Sequence, residues 1–180
     1  MMLVLLSALF IFTVSMATDM SPAGVTCPSS KYEVFCQQDQ HDQTGNSSMT
    51  YYEEAEAACE ARNGTLATLK DAASFQAVQN LILANMLHRA PCINTHGFWI
   101  GLDDRDAENN FRWSDNTTLG NSFVNWAGGE PNNKVKLDSE GQDCVQLWFR
   151  GSRTGQWDDE YCNVRPKGFV CEMTAEFAMC

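Results

Sequence analysis

At 180 residues and 20.1 kDa the chain has the size of one compact domain. Its 12 Lys+Arg stand against 23 Asp+Glu, a formal net charge of -11 that would repel phosphate backbones and anionic leaflets, which argues against nucleic acid as a partner. Five Trp and ten Phe within a 44% hydrophobic composition supply a sizeable core and exclude a largely unfolded chain.

The segment from Met2 to Val14 is apolar but shorter than the roughly 20 residues a membrane helix needs. Ser15-Met16-Ala17 then places small residues at the -3 and -1 positions of a cleavage site, so residues 1–17 read as a secretory signal peptide, with an uncleaved anchor as the alternative. A short polar leader occupies 18–26 and a single domain 27–180, with no later apolar run long enough to span a bilayer. The expectation is a secreted, extracellular protein. In that oxidising setting the eight cysteines (Cys27, Cys36, Cys59, Cys92, Cys144, Cys162, Cys171 and Cys180) form a disulfide framework. No Cys-x-x-Cys pair occurs and His41, His88 and His96 show no ligand spacing, which makes structural zinc a weak reading. Counting alone leaves 105 connectivities open. Asn46, Asn63 and Asn116 each begin a glycosylation sequon.

Cys27 and Cys36 bracket a spacing suited to a small bridged hairpin, and Gln37 to Ser48 is a polar loop. Thr50 and Glu53 read as a capping box that starts a helix with Tyr52, Ala55, Cys59 and Arg62 on one face, stopped by Asn63-Gly64. A short strand, Thr65 to Leu69, follows. Asp71 caps a second helix whose Phe75, Val78, Ile82 and Met86 recur at core spacing and which ends near His88. From Phe98 the pattern changes to short strands at Phe98–Leu102, Phe111–Ser114, Cys144–Phe149, Gly155–Trp157 and Phe169–Met173. Two helices before a mostly antiparallel sheet make an α+β fold.

The long stretch between Asp115 and Asp143 carries little helix or strand signal, and a compact domain tolerates such a loop mainly for function. Around it cluster Asp103, Asp104, Glu108, Glu130, Asn132, Asn133, Glu140, Gln142, Asp143, Asp158 and Asp159. Carboxylate and amide oxygens suit calcium, although a solvated acidic surface accounts for the same composition. An EF-hand fails: Asn109 stands where the loop glycine is required and Asp115 where a bidentate glutamate belongs.

Trp99-Ile100-Gly101-Leu102, Glu130-Pro131-Asn132, Asp143-Cys144-Val145 and Trp157-Asp158-Asp159 with Cys162 follow the Cys59 helix in that order. Together they give the chain a close resemblance to a C-type lectin domain, over nearly all of the sequence after the signal segment. The resemblance implies two helices packed on antiparallel sheets with a long calcium-binding loop region. It implies Cys59-Cys171 and Cys144-Cys162 bridges, with Cys27-Cys36 as the extra pair of the long form. A bridge closing a loop of about 100 residues contributes on the order of 4.7 kcal/mol in the chain-entropy model. Cys92 and Cys180 fall outside the usual framework. By the fold analogy both lie at the pole near the termini, so an intrachain Cys92-Cys180 bridge is the first choice and a disulfide-linked dimer the second.

In such domains calcium and sugar bind together, vicinal hydroxyls ligating the ion while its protein ligands exchange hydrogen bonds with the same hydroxyls. Carried over, the principal calcium and carbohydrate site comprises Glu130, Asn132, Gln142, Asp158 and Asp159, with Pro131 setting the loop through a cis Glu130-Pro131 bond. An auxiliary calcium site takes Asp104, Glu108, Asn133 and Asp143, against the alternative of a merely solvated loop. Gln142 stands where the family has Glu and Asp158 where it has Asn. The formal charge is conserved, but the donor and acceptor code at one hydroxyl is reversed. Glu140 would replace Gln142 if the loop shifts by two residues. Trp113, Trp126 and Trp148 are assigned to packing.

The resulting expectation is a secreted, glycosylated, calcium-dependent lectin for mannose-, glucose- or fucose-type glycans, microbial or self, in an innate immune setting. The reversed code is expected to loosen or shift that mannose-type preference, with galactose-type specificity as the alternative. The rival from another class is a lectin-like domain that binds protein or another surface without calcium or sugar. A hydrolase has little support, since no Gly-x-Ser-x-Gly element occurs and the histidines lie away from the candidate site.

Overall fold

The computed structural model describes residues 31–36, 50–88 and 97–174. The signal segment, the leader, Cys27, Asn46, Cys92 and Cys180 lie outside them.

Two helices and seven strands are found among the described residues. The helices are α1 (Tyr52–Glu60) and α2 (Ala72–His88). The strands are β1 (Tyr32–Phe35), β2 (Gly64–Leu66), β3 (Gly97–Asp103), β4 (Arg112–Trp113), β5 (Cys144–Trp148), β6 (Gln156–Glu160) and β7 (Gly168–Met173). The main path of the sheet runs β1-β7-β3-β5-β6, with β2 also on β7 and β4 on β3. All pairings are antiparallel except β3 with β7, which is parallel. This is the α+β architecture expected.

β3 reads as a continuous apolar run because both faces of the sheet are covered. Phe98, Ile100 and Leu102 join Val78 and Ile82 of α2 in one core cluster, while Trp99 joins Tyr52, Ala55 and Cys59 of α1 in the other. That partition follows from the two-residue period of a strand. Trp99 donates Nε1–H to the Thr50 carbonyl at 3.0 Å and meets the Tyr52 ring edge-on, so its bulk and its polar atom are both accommodated. Gly101 lets backbone come close: a Cβ there would lie 2.5 Å from the Leu66 carbonyl oxygen, and its N–H donates to Ala67 O at 2.9 Å.

Several boundaries differ from the sequence reading. The cap of α1 is shifted by one residue: Tyr51 N–H donates to Glu54 at 3.1 Å, whereas Thr50 pairs with Lys167 in a bridge and its hydroxyl has no hydrogen-bond partner. Pairing with Lys167, just before β7, competes with capping and wins. The left-handed residue that ends α1 is Asn63, at φ 56°, and Gly64 already belongs to β2, which is shorter than the expected Thr65–Leu69. Asp71 caps α2 as expected, accepting from Ser74 N–H at 2.7 Å. β1 pairs with β7 across the length of the chain, Tyr32 opposite Glu172, and the bridged hairpin expected over Cys27 to Cys36 lies partly outside the described residues. β6 runs on through Asp158, Asp159 and Glu160, paired with Gln146, Val145 and Cys144.

Cys59–Cys171 ties α1 to β7, and Cys144–Cys162 ties β5 to the turn after β6. Cys36 is also disulfide-bonded. The Cys27 and Cys92-Cys180 assignments fall outside the described residues. Asn63 and Asn116 are exposed, the placement a glycan needs.

Candidate metal and ligand site

The segment 125–133 lies along the outer edge of β6. Trp157 N–H donates to Asn125 O at 2.8 Å and Ala127 N–H to Trp157 O at 2.8 Å, and Trp126 packs edge-on against Trp157. These contacts cover the sheet edge and bring the Glu130-Pro131-Asn132 turn over the end of β6. The Glu130-Pro131 bond is cis.

Glu130, Asp158 and Asp159 converge there, each offering an oxygen within 4.8 Å of the others. Asp159 is held by backbone donors: Asn132 N–H reaches its two oxygens at 3.0 and 2.9 Å, and Asn133 N–H reaches Oδ2 at 2.6 Å. Asp158 Oδ2 accepts from Gln146 Nε2 at 2.7 Å, and Glu130 accepts from the Asn132 amide and from Arg153 Nη1, the latter at 3.0 Å. Asn132 Oδ1 is buried with no hydrogen-bond partner. A buried acceptor in that state costs free energy unless a cation or donor meets it. Three carboxylates and an amide oxygen are hard donors, so the set fits calcium better than a transition metal.

Burial is the main reason Asp158 is pushed up to about 6, with Glu130, Glu160 and Asp159 adding repulsion against the Gln146 hydrogen bond. Asp159 is raised for the same first reason, tempered by its backbone donors. Crowded acids of this kind hold either protons or a cation.

A second cleft of about 310 Å³ adjoins this one, lined in part by Asp104, Glu108, Asn132, Asn133, Gln142 and Asp159. Thus Asp159 borders both. Asp104 is pushed up to about 7 by burial first and then by Glu108, Asp143 and Asp159, opposed by the Asn109 N–H on Oδ2. Its Oδ1 is buried with no hydrogen-bond partner. Asp143 is raised by burial and by Glu108. Asn133, at φ 40°, donates to Glu108 and accepts Gln142 N–H at 2.8 Å. Gly141, at φ 104°, makes room for that contact, since a Cβ would fall 1.7 Å from Asn133 Oδ1.

Gln142 is buried, but its amide serves other groups: Nε2 donates to Glu160 Oε1 at 3.1 Å and Oε1 accepts Lys134 N–H at 3.2 Å. Its side chain borders the second cleft together with Asn132, Asn133 and Asp159. Glu140 is exposed and its N–H caps on Asp138. Trp113 is buried in the core and Trp126 packs against it, while Trp148 donates its indole N–H to Arg150 O at 2.8 Å. Sequence reasoning missed Glu160, Gln146 and Arg153, the partners of three site residues. For Gln146 and Glu160 the strand alternation of β5 and β6 held the signal; for Arg153, in a turn, there was none.

The lectin C-type domain model matches residues 47–173. A perlucin-like protein of Mytilus galloprovincialis is 27% identical over 91% of this chain and 93% of that protein. An alpha-N-acetylgalactosamine-specific lectin of Patiria pectinifera is 31% identical over 68% of each. Some relatives are far longer: the match spans 22% of the low affinity immunoglobulin epsilon Fc receptor of Mus musculus, at 43% identity over 46% of this chain. Among solved structures, the cow C-type carbohydrate-recognition domain of CD23, crystallised in the presence of a GlcNAc2Man3 oligosaccharide, superposes with a TM-score of 0.57 at 27% identity, covering 81% of this chain and 94% of that one. The chain belongs to the C-type lectin family.

Proposed function

We propose that the protein is a secreted, calcium-dependent carbohydrate-binding lectin without catalytic activity. The observation that carries this reading is the meeting of Glu130, Asp158 and Asp159 beside Asn132, whose buried Oδ1 has no hydrogen-bond partner. Glu130, Asn132, Asp158 and Asp159 would hold the principal ion, and Asp104, Glu108, Asn133 and Asp143 an auxiliary one. Calcium at the principal seat supplies a Lewis-acidic contact for two vicinal hydroxyls of a hexose. The chain's own groups would read those hydroxyls: Glu130 and Asp158 as acceptors and the Asn132 amide as a donor.

The Gln142 amide spends one of its two N–H groups on Glu160, so the fourth reading position keeps one N–H to donate where the family has an acceptor. One hydroxyl is then read by Glu130 and Asn132, and the other by Asp158 and Gln142 with donor and acceptor exchanged. This supports recognition of equatorial 3- and 4-hydroxyls, the mannose type, with relaxed discrimination against galactose. A glycan array showing strict selectivity for one class would count against the relaxed reading.

The deciding experiment is thermal unfolding in calcium, in chelator, and in calcium with mannose or galactose, since a ligand that binds only the folded state raises the midpoint. A calcium increment followed by a sugar increment is the expected result. The commitment of Gln142 to Glu160 favours one other reading, a member of the fold that binds protein without the ion. Absence of any calcium increment would select it.

A further inference from the structure

We infer that Arg153 selects glycans bearing an anionic substituent beside the diol. Arg153 ends the single-turn 3-10 helix Gly151–Arg153 between β5 and β6 and reaches the candidate seat from its rim. Its side chain is 44% exposed, whereas the Glu130 side chain it pairs with is 4% exposed. The guanidinium carries five N–H donors and spends one on Glu130 Oε1. Four N–H donors remain on this half-exposed side chain, and a planar carboxylate or a sulfate is the natural partner of such a fork.

The charge distribution agrees. A chain of net charge -11 with three acids at the seat repels an anionic sugar unless a fixed cation compensates. Lys134 and Lys136 follow Asn133 in sequence and Arg150 precedes the turn that carries Arg153, and all four are exposed. Glu130 cannot serve a guanidinium and an ion fully at once. Calcium taken up by Glu130 would therefore leave Arg153 with a weakened internal partner at the rim.

The inference rests on the calcium-and-sugar reading above, and one set of measurements separates the two. Wild type and Arg153→Gln are compared, in calcium and low salt, for binding to immobilised N-acetylglucosamine and its 6-sulfate, galactose and its 6-sulfate, and glucuronic acid. Calcium affinity is titrated calorimetrically in parallel. The wild type is expected to favour a charged sugar over its neutral counterpart by about fivefold, the range of an exposed charge-assisted pair. R153Q should tighten calcium severalfold because Glu130 loses its competing cation, and at saturating calcium it should bring the ratio of charged to neutral sugar binding to one. The sulfated and carboxylated arms report which anion is preferred. Equal binding of charged and neutral sugars by both proteins, with unchanged calcium affinity, would overturn the role of Arg153 and leave the lectin reading standing. Absence of calcium-dependent binding to every sugar would overturn both.

Discussion

Gln142 Nε2 donates to Glu160 Oε1 at 3.1 Å, in a buried pairing of two residues eighteen positions apart. Glu160 also accepts from Lys167 at 3.3 Å and Arg165 at 3.4 Å, so its carboxylate is the anion of a compact network. Glutamate at 142 would set a second carboxylate against it. Gln142→Glu is therefore expected to destabilise the calcium-free protein by about 1–3 kcal/mol, the cost of breaking a buried hydrogen bond and opposing two charges. The double variant Gln142→Glu with Glu160→Gln should recover much of that loss. Urea unfolding of the four proteins in chelator checks the coupling; additive losses would mean that the two residues act independently.

Asp158 is the counterpart departure, and its acceptor is also matched locally, by Gln146 Nε2. Asp158→Asn keeps an oxygen for that bond by orienting its amide and removes one of the charges crowding Glu130, Asp159 and Glu160. The expected outcome is a higher unfolding midpoint in chelator together with calcium affinity weaker by about tenfold, on the scale of one carboxylate ligand. A midpoint that falls in chelator would show that the charge is stabilising where it stands.

The two departures from the family pattern were legible as residue types, but their partners were not, because hydrogen bonds such as Gln142 to Glu160 depend on the register of β5 against β6. α2 was legible, since Asp71 and the Phe75, Val78, Ile82, Met86 period point the same way. The Trp99-Ile100-Gly101-Leu102 strand and the Cys59–Cys171 and Cys144–Cys162 bridges came through the ordered motifs. The pairing of β1 with β7 was not legible, because β7 lies at the far end of the chain and a four-residue segment pairing at that distance leaves no local signature. The second half of β6 was missed because acidic residues are depleted from strands, and here they are retained where the site gathers.

Acid titration of the ion-free protein provides a third test. Asp104 lies at about 7 and Asp158 at about 6, both first through burial and then through neighbouring acids. Both exceed the value of about 3.9 for an unfolded aspartate, so the folded state holds more protons than the unfolded state between about pH 4 and 7. The contribution of these groups is present at low pH and is lost as pH rises through their folded values. Asp71 and Asp115 are shifted downward and titrate below that window. In chelator, the midpoint should fall from pH 5 to pH 7.5, with a shallower slope in Asp104→Asn. Calcium competes with the same protons, so its increment should be larger at pH 7.5 than at pH 5. An increment independent of pH would place the ion away from these acids.

The two described bridges differ in the loop they close. Cys59–Cys171 spans 112 positions and Cys144–Cys162 spans 18. In the chain-entropy model that ratio makes the longer bridge worth about 1.6 kcal/mol more. Burial adds in the same direction, since Cys59 and Cys171 are fully buried among Tyr52, Leu66, Trp99 and Phe169, whereas Cys162 is half-buried. Removing each pair as Cys→Ala should therefore lower stability to urea more for Cys59/Cys171 than for Cys144/Cys162. The shorter bridge joins Cys144, next to Asp143, to Cys162, shortly after Asp159, and anchors the start of β5 to the turn after β6, so its loss should weaken calcium binding out of proportion to its effect on stability. The reverse ordering in both measurements would mean that the loop bearing the site is held by its own hydrogen bonds to Asp159 and that the bridges serve the core alone.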